Sequence, residues 1–191
     1  MNILYKAKDF AHKKHDEMGD VRKYSNLPFW VHTDEVANIV MDVVLPVNGN
    51  FDGNYKRADN MIVAAHLHDT LEQTKTTELE LIENFGVEAT KLVVELTNVF
   101  TPKALPNLNR EKRTQLEKER ISEISRDAQI IKLADIISNT RDIVNQDPSF
   151  AKVYLEEKWE LLYVLDDSTE LWIKAYDQIY SERYKLILMR K

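Results

Sequence analysis

The pair His68-Asp69 stands inside an apolar run, MIVAAHLHDTL, and Glu72 and Gln73 follow one helical turn later. Helical spacing of three and four residues puts Glu72 above Asp69 and His68, and Gln73 above Asp69, so four polar groups share one face of an otherwise apolar element. A second apolar run, IIKLADIISNT, repeats the anomaly with Asp135 and, one turn on, Asn139. A third case is His32, flanked by Trp30 and Val31. Buried ionisable groups without partners cost several kcal/mol each, and a divalent cation is the partner that would relieve them. Two imidazoles and two carboxylates form a mixed nitrogen and oxygen donor set suited to Mn²⁺, Fe²⁺ or Zn²⁺, with positions left over for water and a phosphate oxygen. Such an ion polarises phosphorus and lowers the pKa of a water, which is the chemistry of phosphoester hydrolysis. Taken singly, each residue has an ordinary explanation: His68 and Asp69 as a satisfied core pair, Asp135 as a buried cap. Their conjunction points to a metal.

The elements that must hold these residues read as helices. Ile3, Leu4, Ala7, Phe10 and Ala11 recur at helical spacing over residues 2–17, and Gly19-Asp20 stops the pattern. Arg22 to Pro28 is loop-like, and Pro28 precedes a helix with an apolar face of Val31, Val36, Ile39, Val40 and Val43, which places His32 in its opening turn. The segment 46–54 is the clearest loop. The helix after it, ADNMIVAAHLHDTLEQT, is apolar on nearly every side and should be buried in the middle of the fold. Thr76-Thr77 before two glutamates marks a further helix start, with Phe85-Gly86 at its end and another helix over Val87 to Val99. The stretch from Asn107 to Ser125 is highly charged and reads as a solvated helix or a mobile excursion. A second buried helix runs from about Asp127 to Val144, and two amphipathic helices over 150–190 finish the chain.

Composition agrees. Only four glycines and five prolines punctuate 191 residues rich in Leu, Ala, Glu and Lys, so the expectation is an all-α fold, a single domain spanning 1–191 with the metal site between two central helices. The net charge of −6 argues against a nucleic-acid duplex as partner, yet permits a small anion bound by local charge or a metal. The absence of cysteine excludes disulfides, thiolate metal sites and a cysteine nucleophile, and fits a reducing cytoplasm. No run of about 18 apolar residues occurs, so a soluble protein is expected, with no membrane partner. Oligomeric state is not legible.

The stretches HDEMGDVRKYSNLPFWVH ending at His32, AAHLHDTLEQTKTT, FGVEATKLVVELTNV and IIKLADIISNTRDI occur in an order and spacing that resemble the hydrolase domain shared by RelA/SpoT proteins and the small metazoan SpoT homologues, within the HD superfamily of metal-dependent phosphohydrolases. The resemblance is strongest over 5–155. It implies one Mn²⁺ (Fe²⁺, Zn²⁺ or Ni²⁺ being compatible) held by His32, His68, Asp69 and Asp135. It places Glu72 and Gln73 beside the attacking water as the catalytic pair, and Arg22, Lys23, Asn139 and Tyr154 around a nucleotide substrate. One departure stands out: the family has Glu-Asp where this chain has Glu72-Gln73, and an amide cannot accept the proton a carboxylate would.

The expected function is therefore hydrolysis of a nucleotide phosphate or pyrophosphate ester, the resemblance pointing first to the 3′-pyrophosphate of guanosine tetraphosphate. Hydrolysis of another nucleotide such as NADPH, and a nucleotide-binding sensor with weak or no turnover, are the alternatives. Among the remaining candidates, His12 and His15 read as surface residues and His66 as structural. The run from Arg110 to Arg120 reads as a solvated helix face.

Overall fold

A computed structural model describes residues 2–45, 54–141 and 143–189. Among these, regular structure is helical apart from one isolated antiparallel bridge between Val21 and Pro28. The all-α expectation is met. None of these helices is long and apolar enough to cross a membrane. The chain divides into two compact units, Met1–Thr97 and Asn98–Lys191.

The first unit contains α1 (Ile3–Met18), α2 (Trp30–Val44), α3 (Tyr55–Leu67), the single turn α4 (Thr70–Gln73), α5 (Glu78–Phe85) and α6 (Val87–Leu96). Each start or stop has a local cause. Asn2 accepts from the Leu4 amide at the head of α1, Gly19 adopts the left-handed conformation at its end, and Thr77 accepts from Glu80 to open α5. The expected loop at 46–54 lies outside the described residues except for Asn54, whose side chain caps α3 at the Arg57 amide. From Met61 onward helix α3 is buried on every side, and α1, α2 and α6 pack against it. Fully burying Met61, Ile62 and Leu67 contributes about 1.5–3 kcal/mol each.

The sequence pattern reads residues 58–73 as one helix, but the structure breaks it at His68-Asp69. Side chains take the carbonyls that would continue the ladder: the Thr70 hydroxyl donates to Leu67 O at 2.7 Å, and His68 Nδ1 donates to Ala65 O at 2.8 Å. The last turn of α3 is thereby satisfied without a helical continuation.

The second unit contains α7 (Arg110–Ile121), α8 (Arg126–Thr140), the turn α9 (Ile143–Gln146), α10 (Pro148–Leu162) and α11 (Glu170–Leu188). Ser125 caps α8, Asp147 caps α10 with Pro148 as its first residue, and Thr169 caps α11. Helices α8 and α10 pack against α11 through a core that includes Ile131, Leu133, Leu155, Leu162, Leu171 and Ile179. The charged stretch is a helix, α7, fastened to α10: Arg110 donates twice to Glu157, at 2.6 and 2.7 Å, and Lys118 pairs with Glu160 at 3.0 Å. Helix α8 ends earlier than its apolar pattern suggests, because Arg141 turns extended and the buried Glu182 carboxylate accepts from the Val144 amide at 3.3 Å.

Candidate metal centre

His32 enters the first unit's interior because α2 begins two residues before it, and its own amide donates to Phe29 O at 2.9 Å. It is buried, with its ring edge against Phe29 and 5.2 Å from the His68 ring. His68 terminates α3, and its Nδ1 bond to Ala65 O assigns the proton to that nitrogen and turns Nε2 toward the other donors. Asp69 Oδ2 lies 3.2 Å from His68 Nε2 and 3.7 Å from His32 Nε2. Donors sharing one ion at bond lengths near 2.1 Å stand roughly 3–3.5 Å apart, so Asp69 Oδ2 lies at that separation from His68 Nε2 and slightly beyond it from His32 Nε2, and all three atoms have the chemistry a divalent cation requires. The break between α3 and α4 brings consecutive residues to one point.

Glu72 is exposed on the α4 turn, while Gln73 is half-buried and its backbone N–H donates to Asp69 O at 2.9 Å. The two therefore follow the His-Asp turn on a separate short element, not on a continuous helix face.

The loop ahead of His32 is a tight hairpin. Arg22 N donates to Leu27 O at 2.8 Å and Phe29 N to Asp20 O at 3.0 Å, with Asn26 in the left-handed region at φ 55°. Arg22 and Lys23 ride on this loop, and Lys23 donates to the Tyr24 hydroxyl at 2.8 Å. Two cations are thus carried on the loop that leads into α2 and His32.

Behind the site the expectation for two histidines needs correction. His15 is fully buried against Phe29, with Nδ1 3.8 Å from Asp20 Oδ2; burial lowers its pKa, and Asp69 and Asp20 act against the shift. His12 stacks on Trp30 at 4.1 Å and bonds both Asp34 oxygens at 3.0 Å. Helical periodicity did not place His15 among Ala7 and Ala11, although it lies four residues after Ala11 on the same face. His66 is buried, with Nδ1 3.3 Å from Asp34 Oδ1. Lys8 completes that cluster at 2.9 Å. Burial pushes the Asp34 carboxyl up, but His66, Lys8 and His12 outweigh it and hold it well below the usual carboxylate range. This cluster ties α1, α2 and α3 together.

In the second unit Asp135 is a buried carboxylate in the middle of α8. Lys132 Nζ donates to its Oδ2 at 2.9 Å and Asn139 Nδ2 donates to its Oδ1, so both oxygens are oriented by residues of the same helix. Lys132 was not singled out by the sequence reading, although its position three residues before Asp135 is the signal that could have found it. Tyr154, half-buried on α10, stacks on Phe150 at 5.2 Å and carries Lys158 Nζ 4.9 Å from its ring centre.

Comparison with known proteins adds an independent line. A family model described as an HD domain matches residues 7–164. The guanosine-3′,5′-bis(diphosphate) 3′-pyrophosphohydrolase MESH1 of Mus musculus is 30% identical over 191 residues, with 94% of each chain covered. Its Homo sapiens counterpart is 34% identical over 146 residues, 73% of this chain and 69% of that protein. A GTP pyrophosphokinase of Myxococcus xanthus is 31% identical over 188 residues, but the chain spans only 23% of its length. A solved structure, described as a metazoan SpoT orthologue that hydrolyses ppGpp, superposes with a TM-score of 0.76 over 96% of each chain at 24% identity, which shows a shared fold. With buried histidine and aspartate donors poised for a cation and a family model covering most of its length, the chain belongs to the HD-domain family.

Proposed function

We propose that the protein is a metal-dependent phosphohydrolase acting on a phosphate or pyrophosphate ester of a nucleotide, with the 3′-pyrophosphate of guanosine tetraphosphate as the first substrate. The observation that carries this reading is the approach of His32 Nε2, His68 Nε2 and Asp69 Oδ2, preset by the Ala65 carbonyl. In this reading His32, His68, Asp69 and Asp135 hold one divalent cation, and Mn²⁺ suits two imidazoles and two carboxylates. The ion, when bound, supplies Lewis acidity at phosphorus and a lowered pKa for a nearby water. Glu72, exposed beside the His-Asp turn, takes the proton of the attacking water, and Gln73 holds that water by its amide without accepting a proton. Arg22 and Lys23 grip phosphate oxygens, while Asn139 and Tyr154 bound the nucleotide. The cysteine-free composition suits work in the cytoplasm.

Gln73 supports a second reading, a sensor that binds the nucleotide with little turnover. The decisive experiment measures metal content of the purified protein, then phosphate release from guanosine tetraphosphate, NADPH and common nucleotides with added Mn²⁺. Stoichiometric metal and turnover lost in His68→Ala are expected. Metal with no turnover favours the sensor, and no metal sinks the mechanism.

A further inference from the structure

Helix α11 is apolar on two opposite faces. Leu171, Ala175 and Ile179 are buried on the side that packs against α8, α9 and α10, and the buried Glu182 continues that side. At about 100° per residue, Ile173, Tyr180, Tyr184 and Ile187 gather on the reverse side, with Leu188 at its edge. These five side chains are between 49 and 57% exposed. Scattered apolar residues on a surface are ordinary, but a contiguous stripe marks an interaction site. A helix that is apolar all round is one that is covered all round.

The stripe is built to meet its own copy. Ile173, Tyr180 and Ile187 recur every seven residues, the repeat that keeps a seam between two helices in line. Because Tyr180 lies midway, a two-fold axis through it sets Ile173 of each copy level with Ile187 of the other when the helices run antiparallel. Asp177 lies within the stripe, exposed and without an ion pair or hydrogen bond among the described residues. Parallel helices would oppose two Asp177 carboxylates, a repulsive arrangement. Antiparallel helices separate them and put each beside Tyr184 of the other copy, whose hydroxyl can donate to it. At roughly 150–250 Å² for a large side chain fully exposed, the five present about 500 Å² per copy. Two copies would then bury about 1,000 Å², the lower end for a specific association. A lipid surface is a poorer match, because a helix lying on a membrane turns a Lys- and Arg-rich side to water, and that side of α11 is protein core.

We infer that the exposed face of α11 is a homodimer interface, in which two copies of the helix pack antiparallel about Tyr180. The assignment is independent of the hydrolase reading.

Sedimentation from about 1 to 200 μM reads it directly: wild type should pass from monomer to dimer with a Kd on the order of 10 μM. Tyr180→Glu and Ile187→Glu should each raise that Kd at least about tenfold with the helical circular dichroism retained, since both positions are half-exposed in the monomer. Orientation is read by cross-linking, which the absence of native cysteine makes clean. A bismaleimide with a reach near the 8–10 Å between packed helix axes should link Tyr180→Cys to itself, and Ile173→Cys to Ile187→Cys. Ile173→Cys should not link to itself, because antiparallel packing holds those two positions roughly 20 Å apart along the axis. Self-linking of Ile173→Cys as efficient as its linking to Ile187→Cys overturns the antiparallel register. Dimerisation that both glutamate variants leave unchanged overturns the interface. So does a wild type that stays monomeric throughout, and pelleting of that monomer with vesicles of phosphatidylcholine and phosphatidylglycerol would reassign the face to lipid.

Discussion

Nε2 of His68 lies 3.2 Å from Oδ2 of Asp69, its immediate neighbour in the chain. Consecutive residues of a helix point about 100° apart and could not meet in this way. The turn between α3 and α4 makes the approach possible, and Thr70 holds that turn through its bond to Leu67 O. Thr70→Ala should therefore weaken metal affinity by about tenfold while the helical circular dichroism is kept, as loss of a group that orients ligands does. Competition with a chelator measures it; unchanged affinity would show that the turn needs no such support.

Gln73 bears on turnover. Its side chain cannot take a proton, and Glu72 next to it can. If this chain's site is adapted to its own substrate, Gln73→Asp should change kcat on the best substrate by less than about tenfold. A much larger gain would mean that the amide weakens an otherwise ordinary family site.

Asp34 gathers Lys8, His12 and His66 from α1 and α3. Asp34→Asn removes the charge that all three face and should destabilise the first unit by about 1–3 kcal/mol. Thermal unfolding near pH 7 should show a midpoint lower by several degrees. An unchanged midpoint would mean that the cluster contributes little beyond shape.

Lys158 predicts a pH dependence of opposite sign to the usual stabilising pair. Its ammonium is held at about 8 when folded, below the ordinary lysine value to which it returns when unfolded. Between those values the unfolded chain binds more protons, so wild-type stability should rise as pH climbs from about 8 toward 10. Lys158→Met should lack that rise and should be more stable than wild type near pH 7, by at most about 3 kcal/mol. Denaturant unfolding across this range tests it, and parallel curves for the two proteins would refute it.

Much of the site was legible because its residues break an apolar pattern. His68-Asp69 and Asp135 are polar where periodicity demands apolar side chains, and His68 and Asp135 are indeed buried while Asp69 is partly so. Arg22, Lys23 and Tyr154 carry no such contrast, since charged loop residues and aromatic helix residues are common anywhere; only likeness to a family marked them. His15 was misjudged for the opposite reason: its charged neighbours in the chain suggest solvent, while its helical face is interior.

Residue order alone determined most of the helices and their caps at Asn2, Thr77, Ser125 and Asp147, and it singled out the candidate metal donors, because periodicity, capping and donor chemistry are local properties. The break at His68 was decided by the folded structure, where side chains take carbonyls that the apolar pattern assigns to a continuing helix. So were the Asp34 cluster, which joins residues 8, 12, 34 and 66, and the unpaired ammonium of Lys158, whose isolation depends on Arg110 and Arg120 having already taken the nearby carboxylates. Which charges meet across tens of residues is a matter of packing, and no periodicity encodes it.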